Sequence, residues 1–260
     1  MEVKVDNVYA SFPGVEAVQG VSLDITAGQV VAIVGPNGCG KSTLLKVISR
    51  LHRPDKGAVI HQGDDVWKLK PREVAHRIAL LPQAPVAPEA MTVRRLISFG
   101  RHPHQGLFRQ WSGEDDDAVR QAMADTGTLE LADRTLETLS GGQRQRCWLA
   151  MCLAQTTPVV ALDEPTSSLD MGHAVEVMEK VRETASTGRT AIMVVHDLVS
   201  AARYADVVVA MRDGVVIAQG KPSAVVTTDL VTELYGIAAD VVSAPSDGIP
   251  VVIPRQVRLG

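Results

Sequence analysis

The chain has 260 residues, of which 45% are hydrophobic and 22% charged, which indicates a folded globular protein and excludes a disordered or fibrous one. Its formal net charge of −4 argues against a general nucleic-acid binder, because such proteins are more often basic. No apolar run approaches the roughly 18 residues that a membrane-spanning helix needs. The three cysteines, Cys39, Cys147 and Cys152, form no CxxC pair, which favours a reducing cytosol.

The first third of the chain shows two kinds of strand pattern. Residues 3–12 and 17–26 alternate apolar and polar side chains, which predicts two antiparallel strands of a small sheet. The continuous apolar run from Gln29 to Gly35 predicts a strand buried on both faces, as in a parallel sheet. From Ser42 onward the apolar spacing becomes helical.

Strands and helices continue to alternate in the second half of the chain. Further strands are predicted at residues 77–82, 158–164, 190–196 and 205–214, and helices at 172–186 and 198–204. This alternation favours an α/β fold. Between Pro85 and Thr157 only helical periodicity is found, at residues 93–99, 114–126 and 142–154, which predicts an inserted helical lobe.

We therefore expect one domain spanning residues 1–260. Its parts are a core with a β subdomain (1–84 and 158–234), a helical subdomain (85–157) and a C-terminal tail (235–260). The tail alternates apolar residues around an Asp-Gly turn, which predicts a terminal hairpin.

The segment GPNGCGKST matches the P-loop pattern G-x-x-x-x-G-K-S/T between a predicted buried strand and a helix. The glycines allow backbone N–H groups to wrap phosphates, and the start of the helix adds a favourable dipole. Lys41 is expected to reach the β- and γ-phosphates, and the Ser42 hydroxyl to bind Mg²⁺. The predicted ATP-binding residues of this loop are Gly35, Pro36, Asn37, Gly38, Cys39, Gly40, Lys41, Ser42 and Thr43.

A second motif, VVALDE, places two adjacent carboxylates at the end of a predicted buried strand. Adjacent carboxylates repel each other unless a cation or a catalytic task lies between them. Asp163 is expected to hold Mg²⁺, directly or through water, and Glu164 to polarise the attacking water. The two motifs together predict a nucleoside-triphosphate hydrolase.

Another glycine-rich run, LSGGQRQR (residues 139–146), lies between these motifs and precedes a helical pattern. Ser140 is a typical helix N-cap, and the glycines after it let backbone N–H groups approach a phosphate closely. With this run the sequence resembles the ATP-binding-cassette (ABC) proteins, over residues 3–254.

The resemblance implies further site residues. Phe12 matches the aromatic residue that stacks on adenine, although ordinary packing of Phe12 remains an alternative and Tyr9 is the competing aromatic. Gln83 matches the Q-loop glutamine, a catalytic residue and metal ligand, and His196 matches the switch histidine that contacts the γ-phosphate. The signature matches Ser140, Gly141, Gly142 and Gln143, and the D-loop matches residues 167–170, ending in Asp170.

The resemblance also implies a fold and an assembly. The fold is a P-loop NTPase cassette with a RecA-like lobe, an antiparallel β subdomain and an inserted α-helical subdomain. Two copies of such a cassette pack head to tail, and the signature of one copy covers the ATP held by the P-loop of the other. A second phosphate cradle would be of no use to a monomer with one nucleotide, whereas a two-fold dimer completes two sites.

Finer similarity concerns the class of ABC protein. Residues 99–119 and 245–254 are similar to segments of cassettes from the iron-complex importer family, which serves ferric siderophores, haem and cobalamin. This similarity implies an ATPase that powers import through a separate membrane permease, on the cytoplasmic face of the membrane, with a substrate-binding lipoprotein as an indirect partner. A ferric siderophore is the favoured cargo. Haem or cobalamin import, or a soluble ABC ATPase without a transport role, are the alternatives.

Overall fold

The computed structural model describes residues 2–106, 111–167 and 169–255. In this part of the chain the strands are β1 (Val3–Phe12), β2 (Val15–Ile25), β3 (Val30–Val34), β4 (Lys56–His61), β5 (Asp64–Asp65), β6 (Ile78–Leu81), β7 (Val159–Asp163), β8 (Thr190–Val194), β9 (Val207–Arg212), β10 (Val215–Gly220), β11 (Ala239–Ser243) and β12 (Pro250–Pro254). The α-helices are α1 (Lys41–Ile48), α2 (Pro71–Ala75), α3 (Val93–Ser98), α4 (Gly113–Asp125), α5 (Gly141–Ala154), α6 (Met171–Ser186), α7 (Leu198–Tyr204), α8 (Pro222–Val225) and α9 (Thr228–Tyr235). Short 3₁₀ helices occupy Phe99–His104, Leu129–Leu131 and Leu136–Thr138.

The chain forms two compact units, which are described separately. The first consists of Met1–Lys68 with Ile192–Gly260, and the second of Leu69–Ala191. Among the described residues, no helix is both long and apolar enough to span a membrane.

The first unit contains the predicted antiparallel sheet. β1 pairs with β2, as predicted, and with β4 on its other side, and the sheet order is β2-β1-β4-β5. The buried side chains Val3, Val5, Val8 and Ala10 occupy one face of β1, which is the alternation that the sequence shows. The tail forms the predicted hairpin, because β11 and β12 pair antiparallel; the last five residues of the tail lie outside the described part of the chain.

The first unit also contains the strand that precedes the P-loop. All five residues of β3 are buried, and β3 pairs in parallel with β9, as its continuous apolar sequence predicts. β9 in turn pairs antiparallel with β10. The backbone N–H of Val195, just after β8, donates to the carbonyl oxygen of Ile33 in β3. The P-loop therefore starts at the carboxyl end of a fully paired, buried strand.

In the second unit, β6 and β7 are parallel neighbours, with Ile78 opposite Val159 and Leu81 opposite Leu162. Because the carboxyl ends of parallel strands lie at the same edge of a sheet, this register brings the residues that follow the two strands close together. Those residues include Gln83 after β6 and Glu164 after β7.

Helices α3, α4 and α5 of the second unit pack against one another. Arg101, in the 3₁₀ helix after α3, forms a buried ion pair with α4 and a hydrogen bond with α5. Arg101 Nε donates to Asp115 Oδ1 at 2.8 Å, and Arg101 Nη1 donates to the carbonyl oxygen of Ala154, the last residue of α5. Asp115 also accepts from the backbone N–H and hydroxyl of Ser112. Burial opposes ionisation of Asp115, but the hydrogen bonds from Arg101 and Ser112 hold its pKa below the ordinary value. The ion pair thereby anchors the end of α5.

Replacing Asp115 by Ala should leave the Arg101 guanidinium buried without its carboxylate. We expect a loss of about 3–5 kcal/mol in the free energy of unfolding, measured by urea denaturation. The matched control is Asp117→Ala on the same helix, because Asp117 and its partner Arg120 are largely exposed and their pair contributes little. Equal stabilities of the two variants would contradict a structural role for the buried pair.

Candidate functional site

The P-loop joins β3 to α1, and two of its glycines are fixed by close contacts with the backbone. Gly35 has a φ of 149° and Gly40 a φ of 100°. A Cβ atom on Gly35 would lie 2.0 Å from the carbonyl oxygen of Met211, and one on Gly40 would lie 2.0 Å from that of Ala17. Any side chain at either position would therefore displace the neighbouring backbone. Asn37 and Gly38, at the tip of the loop, are exposed.

Lys41 is buried within the loop, and its side chain folds back over it. Its Nζ donates to the carbonyl oxygens of Gly35 and Pro36 at 2.8 and 2.7 Å. In the described structure the N-cap of α1 is Gly40, so no side chain caps this helix. Backbone N–H groups at an uncapped helix start are suited to an anion such as phosphate. The lysine and the helix start thus place positive charge at the P-loop, and the contact of Lys41 with phosphates stays a prediction.

Cys39 occupies a variable position of the P-loop motif. Burial raises the pKa of its thiol above the ordinary value, although the Lys41 ammonium beside it acts in the opposite direction. The protonated thiol is therefore a small packing group, and its Sγ lies close to the space that a Cβ on Gly35 would enter.

Phe12, at the end of β1, is 43% exposed, and its ring centroid lies 4.5 Å from that of His52. The competing Tyr9 has neighbours at its hydroxyl group and over its ring. A Cβ on Gly20 would lie 2.9 Å from the Tyr9 hydroxyl oxygen, and the Lys56 ammonium lies 5.6 Å from the centroid of the Tyr9 ring. The contact of His52 with Phe12 was not predicted, because His52 lies 40 residues further along the chain and no motif links the two residues. The adenine-stacking role of Phe12 stays a prediction.

The structure brings Gln83 and Glu164 together. Glu164 is buried, and its φ of 54° lies in the left-handed region, which is uncommon for a residue with a side chain. Gln83 Nε2 donates to Glu164 Oε2 at 2.7 Å. Because a carboxylate only accepts, the amide nitrogen must face Glu164, and the amide oxygen is the atom that could bind a cation. This hydrogen bond was not predicted, since sequence spacing does not reveal the register of β6 and β7.

The neighbouring Asp163 is buried at the end of β7. With the Ser42 hydroxyl and the Gln83 amide oxygen, it completes the predicted set of metal ligands. All three contribute oxygen atoms, which Mg²⁺ prefers, so the chemistry of the donors fits this ion.

The signature begins helix α5 with a reciprocal cap. Ser140 Oγ accepts from the backbone N–H of Gln143 at 3.2 Å, and Gln143 Oε1 accepts from the backbone N–H of Ser140 at 3.1 Å. This is the capping box, and it confirms Ser140 as the N-cap. Gly141 is exposed and Gly142 is buried. The first turn of α5 is therefore fixed before any ligand binds.

The remaining predicted residues follow β7 and β8. Ser167 donates from its backbone N–H and its hydroxyl to the carbonyl oxygen of Glu164, and Asp170 caps α6 by accepting from the backbone N–H of His173. The D-loop residue Ser168 lies outside the described residues, as do residues 107–110 of the importer-like segment. His196, in the first unit, is exposed just after β8.

The comparisons with known proteins agree on a family. Residues 18–167 match a family model described as ABC transporter. The chain is 45% identical over 237 residues to the ferric enterobactin transport ATP-binding protein of Escherichia coli, with 91% of this chain and 88% of that protein covered.

Solved structures are similar in fold. A transporter described as of the metal-chelate ABC type, in an inward-facing conformation, gives a TM-score of 0.86 at 25% identity, with 99% of each chain covered. A dimeric ATP-binding cassette in a post-hydrolysis state, bound to ADP and phosphate, gives a TM-score of 0.76 at 27% identity, with 85% of this chain and 98% of that chain covered.

The close approach at Gly40 can be tested with a matched glycine. Gly14 has a φ of 81° with no atom within 4 Å of an added Cβ, whereas a Cβ on Gly40 would meet the Ala17 carbonyl. Both alanine variants carry left-handed strain, but only Gly40→Ala adds a steric clash. We expect Gly40→Ala to lose about 1–3 kcal/mol more than Gly14→Ala in urea denaturation. Equal losses would mean that left-handed strain alone, and not the contact with Ala17, makes glycine favourable at position 40.

Proposed function

Because this chain is a member of the ABC transporter family, we propose that it is the ATP-hydrolysing subunit that powers import of a ferric siderophore through a separate membrane permease. The observation that carries the proposal is the likeness to the ferric enterobactin transport ATP-binding protein, which covers nine-tenths of the chain. The chemistry rests on this chain's own residues. These are the P-loop and the Gln83–Glu164 pair, which follow the carboxyl ends of buried strands.

ATP binding is assigned to the P-loop and to Phe12. The backbone N–H groups of the loop and of the α1 start wrap the phosphates, and the exposed face of Phe12 stacks on adenine. Lys41 Nζ donates to the carbonyl oxygens of Gly35 and Pro36, and these two bonds leave one of its three N–H groups for a phosphate oxygen. The opposite charges of the ammonium and the phosphates favour that contact.

Hydrolysis requires a positioned water and stabilised phosphate charge. Glu164 polarises the attacking water, and Gln83 holds one oxygen of the Glu164 carboxylate so that the other faces the water. Ser42, Asp163 and the Gln83 amide oxygen would hold Mg²⁺, which would supply positive charge to offset the negative charge of the phosphates. His196, exposed after β8, donates a hydrogen bond to the γ-phosphate.

The partner in catalysis is a second copy of this chain. The first turn of α5 presents backbone N–H groups to a γ-phosphate bound by the other copy, so that a two-fold, head-to-tail dimer holds two ATP molecules. The similar cassette that is dimeric with ADP and phosphate supports this assembly. Loss of the γ-phosphates weakens the contact, and the resulting opening and closing provides the movement for transport.

The permease and the cargo are inferred from kinship. The similar metal-chelate type ABC transporter supports attachment to membrane subunits. The side of the membrane that this proposal gives to the chain is the cytoplasmic face. A lipoprotein that delivers the cargo outside the cell is an indirect partner. The cassette does not touch the cargo, so the siderophore assignment depends on the relative's function.

The role of Glu164 is tested by Glu164→Gln. This variant should bind Mg·ATP but hydrolyse it at least roughly a hundredfold slower, because the amide cannot polarise water as a carboxylate does. It should also accumulate as an ATP-bound dimer, measured by gel filtration with multi-angle light scattering.

The control is Glu179→Gln, an exposed carboxylate on α6, which should keep wild-type turnover and dissociate after hydrolysis. A Glu164→Gln protein that stays monomeric with ATP, while the wild-type protein is an active ATPase, would contradict the composite two-copy site.

The cargo is tested by co-purification and uptake. The chain should co-purify with a permease encoded beside it, and cells lacking this chain should lose uptake of radiolabelled ferric siderophore and regain it with the wild-type chain but not with Glu164→Gln. Haem and ⁵⁷Co-cobalamin serve as parallel cargoes. Loss of haem or cobalamin uptake instead would mean that this molecule, and not a ferric siderophore, is the cargo. Intact uptake of all three cargoes, without any bound permease, would favour a soluble ABC ATPase.

A further inference from the structure

The signature residue Gly142 is covered by the imidazole ring of His173, which lies in the first turn of α6. A Cβ atom on Gly142 would lie 2.7 Å from both Cγ and Cδ2 of His173 and 3.1 Å from its Cβ. Close-packed interiors do not accommodate contacts this short without moving one of the partners. A side chain at this position would therefore have to displace His173 of the same chain, independently of any bound phosphate.

Asp170 holds this imidazole in place. Its Oδ2 lies 2.7 Å from His173 Nδ1, and its Oδ1 accepts from the backbone N–H of His173 at 3.0 Å. Because a carboxylate only accepts, Nδ1 carries the hydrogen. The hydrogen bonds from the His173 backbone and side chain lower the pKa of Asp170, so the carboxylate remains ionised. The helix cap and the ring orientation thus depend on one side chain.

A second contact between α5 and α6 lies one helical turn further along. Arg146 Nη1 lies 3.6 Å from Glu176 Oε2, one turn after Gly142 and His173 on their respective helices. The Glu176 side chain is 54% exposed, so this ion pair contributes little on its own. We therefore attribute the distance between the start of α5 and the start of α6 to the contact of Gly142 with the His173 ring.

The D-loop, which precedes α6, also contacts Glu164 at the end of β7. Ser167 donates to the carbonyl oxygen of Glu164 with both its backbone N–H and its hydroxyl. Beyond Ser168, which lies outside the described residues, Asp170 contacts His173, and the His173 ring covers Gly142 of the signature helix. Contacts on both sides of Ser168 therefore lead from the end of β7 to the start of α5.

We propose that His173 is a positioning residue that holds the signature helix at a fixed distance from the D-loop, so that a displacement of the D-loop moves the signature of the same chain. The proposal rests on the ATPase function proposed above and adds a residue that lies outside the recognised motifs. His173 contacts no nucleotide in this role; it acts through Gly142 and Asp170.

The contact itself is tested by a double-mutant cycle on thermal unfolding of the full chain, without nucleotide. Gly142→Ala should lower Tm by at least about 3 °C, and adding His173→Ala should recover most of that loss because the ring is gone. The matched control is Gly172→Ala, also in the first turn of a helix, where a Cβ would meet only Asp170 Oδ1 at an ordinary 3.5 Å. Additive effects of the two substitutions would overturn the contact.

The positioning role is tested by steady-state ATPase kinetics. His173→Ala should lower kcat by about ten- to a hundredfold while the KM for ATP changes less than about twofold, because the P-loop is untouched. His173→Asn should restore most of kcat, since its amide can still donate to Asp170 and its flat group still fits against Gly142. An unchanged kcat in His173→Ala, or failure of Asn to restore it in a folded protein, would overturn the proposal.

These measurements distinguish loss of the ATPase function from loss of the role of His173. A wild-type chain without ATPase activity would overturn the proposed function and, with it, the role of His173 in turnover. An active wild-type chain in which His173→Ala turns over normally would overturn the role of His173 alone.

Discussion

Burial on both faces is the constraint on which the arrangement of this protein depends. Strands β3, β7 and β8 are buried at every residue, so no charged group can lie within them except at the final position, where Asp163 closes β7. The first polar groups that each strand can present come where it ends. The P-loop follows β3, Glu164 follows β7 and His196 follows β8 within two residues. Apolar sequence thus decides where the chemistry can be placed.

Helix starts provide the second set of functional groups, and their caps differ. α1 begins at a glycine that offers no capping side chain, whereas α5 and α6 begin at Ser140 and Asp170, which accept backbone N–H groups. The first arrangement leaves donors for a phosphate, and the second fixes the helix before it meets one. The P-loop helix therefore starts without a side-chain cap, whereas the signature helix starts with one.

Much of the fold could be predicted from the sequence, because long apolar runs and clear periodicity dominate it. The strands that carry site residues and the helices α4, α5, α6 and α7 begin and end within a few residues of the predicted limits. The elements β4, β5, β10, α2, α8 and α9 were not predicted, and the shortest of them have too few residues to show a period. Motifs also identified Ser140 as a cap, because a capping box is a local pattern.

Contacts between distant segments could not be predicted. The Gln83–Glu164 hydrogen bond depends on the register of β6 and β7, and the Phe12–His52 contact depends on how a loop returns to the end of β1. Gly142 was expected to be glycine because of a bound phosphate. The imidazole that covers it provides a second reason, which only the packing of α5 against α6 reveals.

The backbone of Glu164 has a consequence for the history of such chains. A φ of 54° suits glycine or asparagine better than glutamate, so the folded state stores strain of about 1–3 kcal/mol at this residue. The proposed role of Glu164 in polarising water would oppose the relief of this strain. A gene copy freed from selection for that role would gain stability by losing its glutamate, and duplicated cassettes that no longer hydrolyse ATP should drift toward the residues that the backbone prefers. In such a copy, ATPase activity would be lost while the stability of the folded state increased.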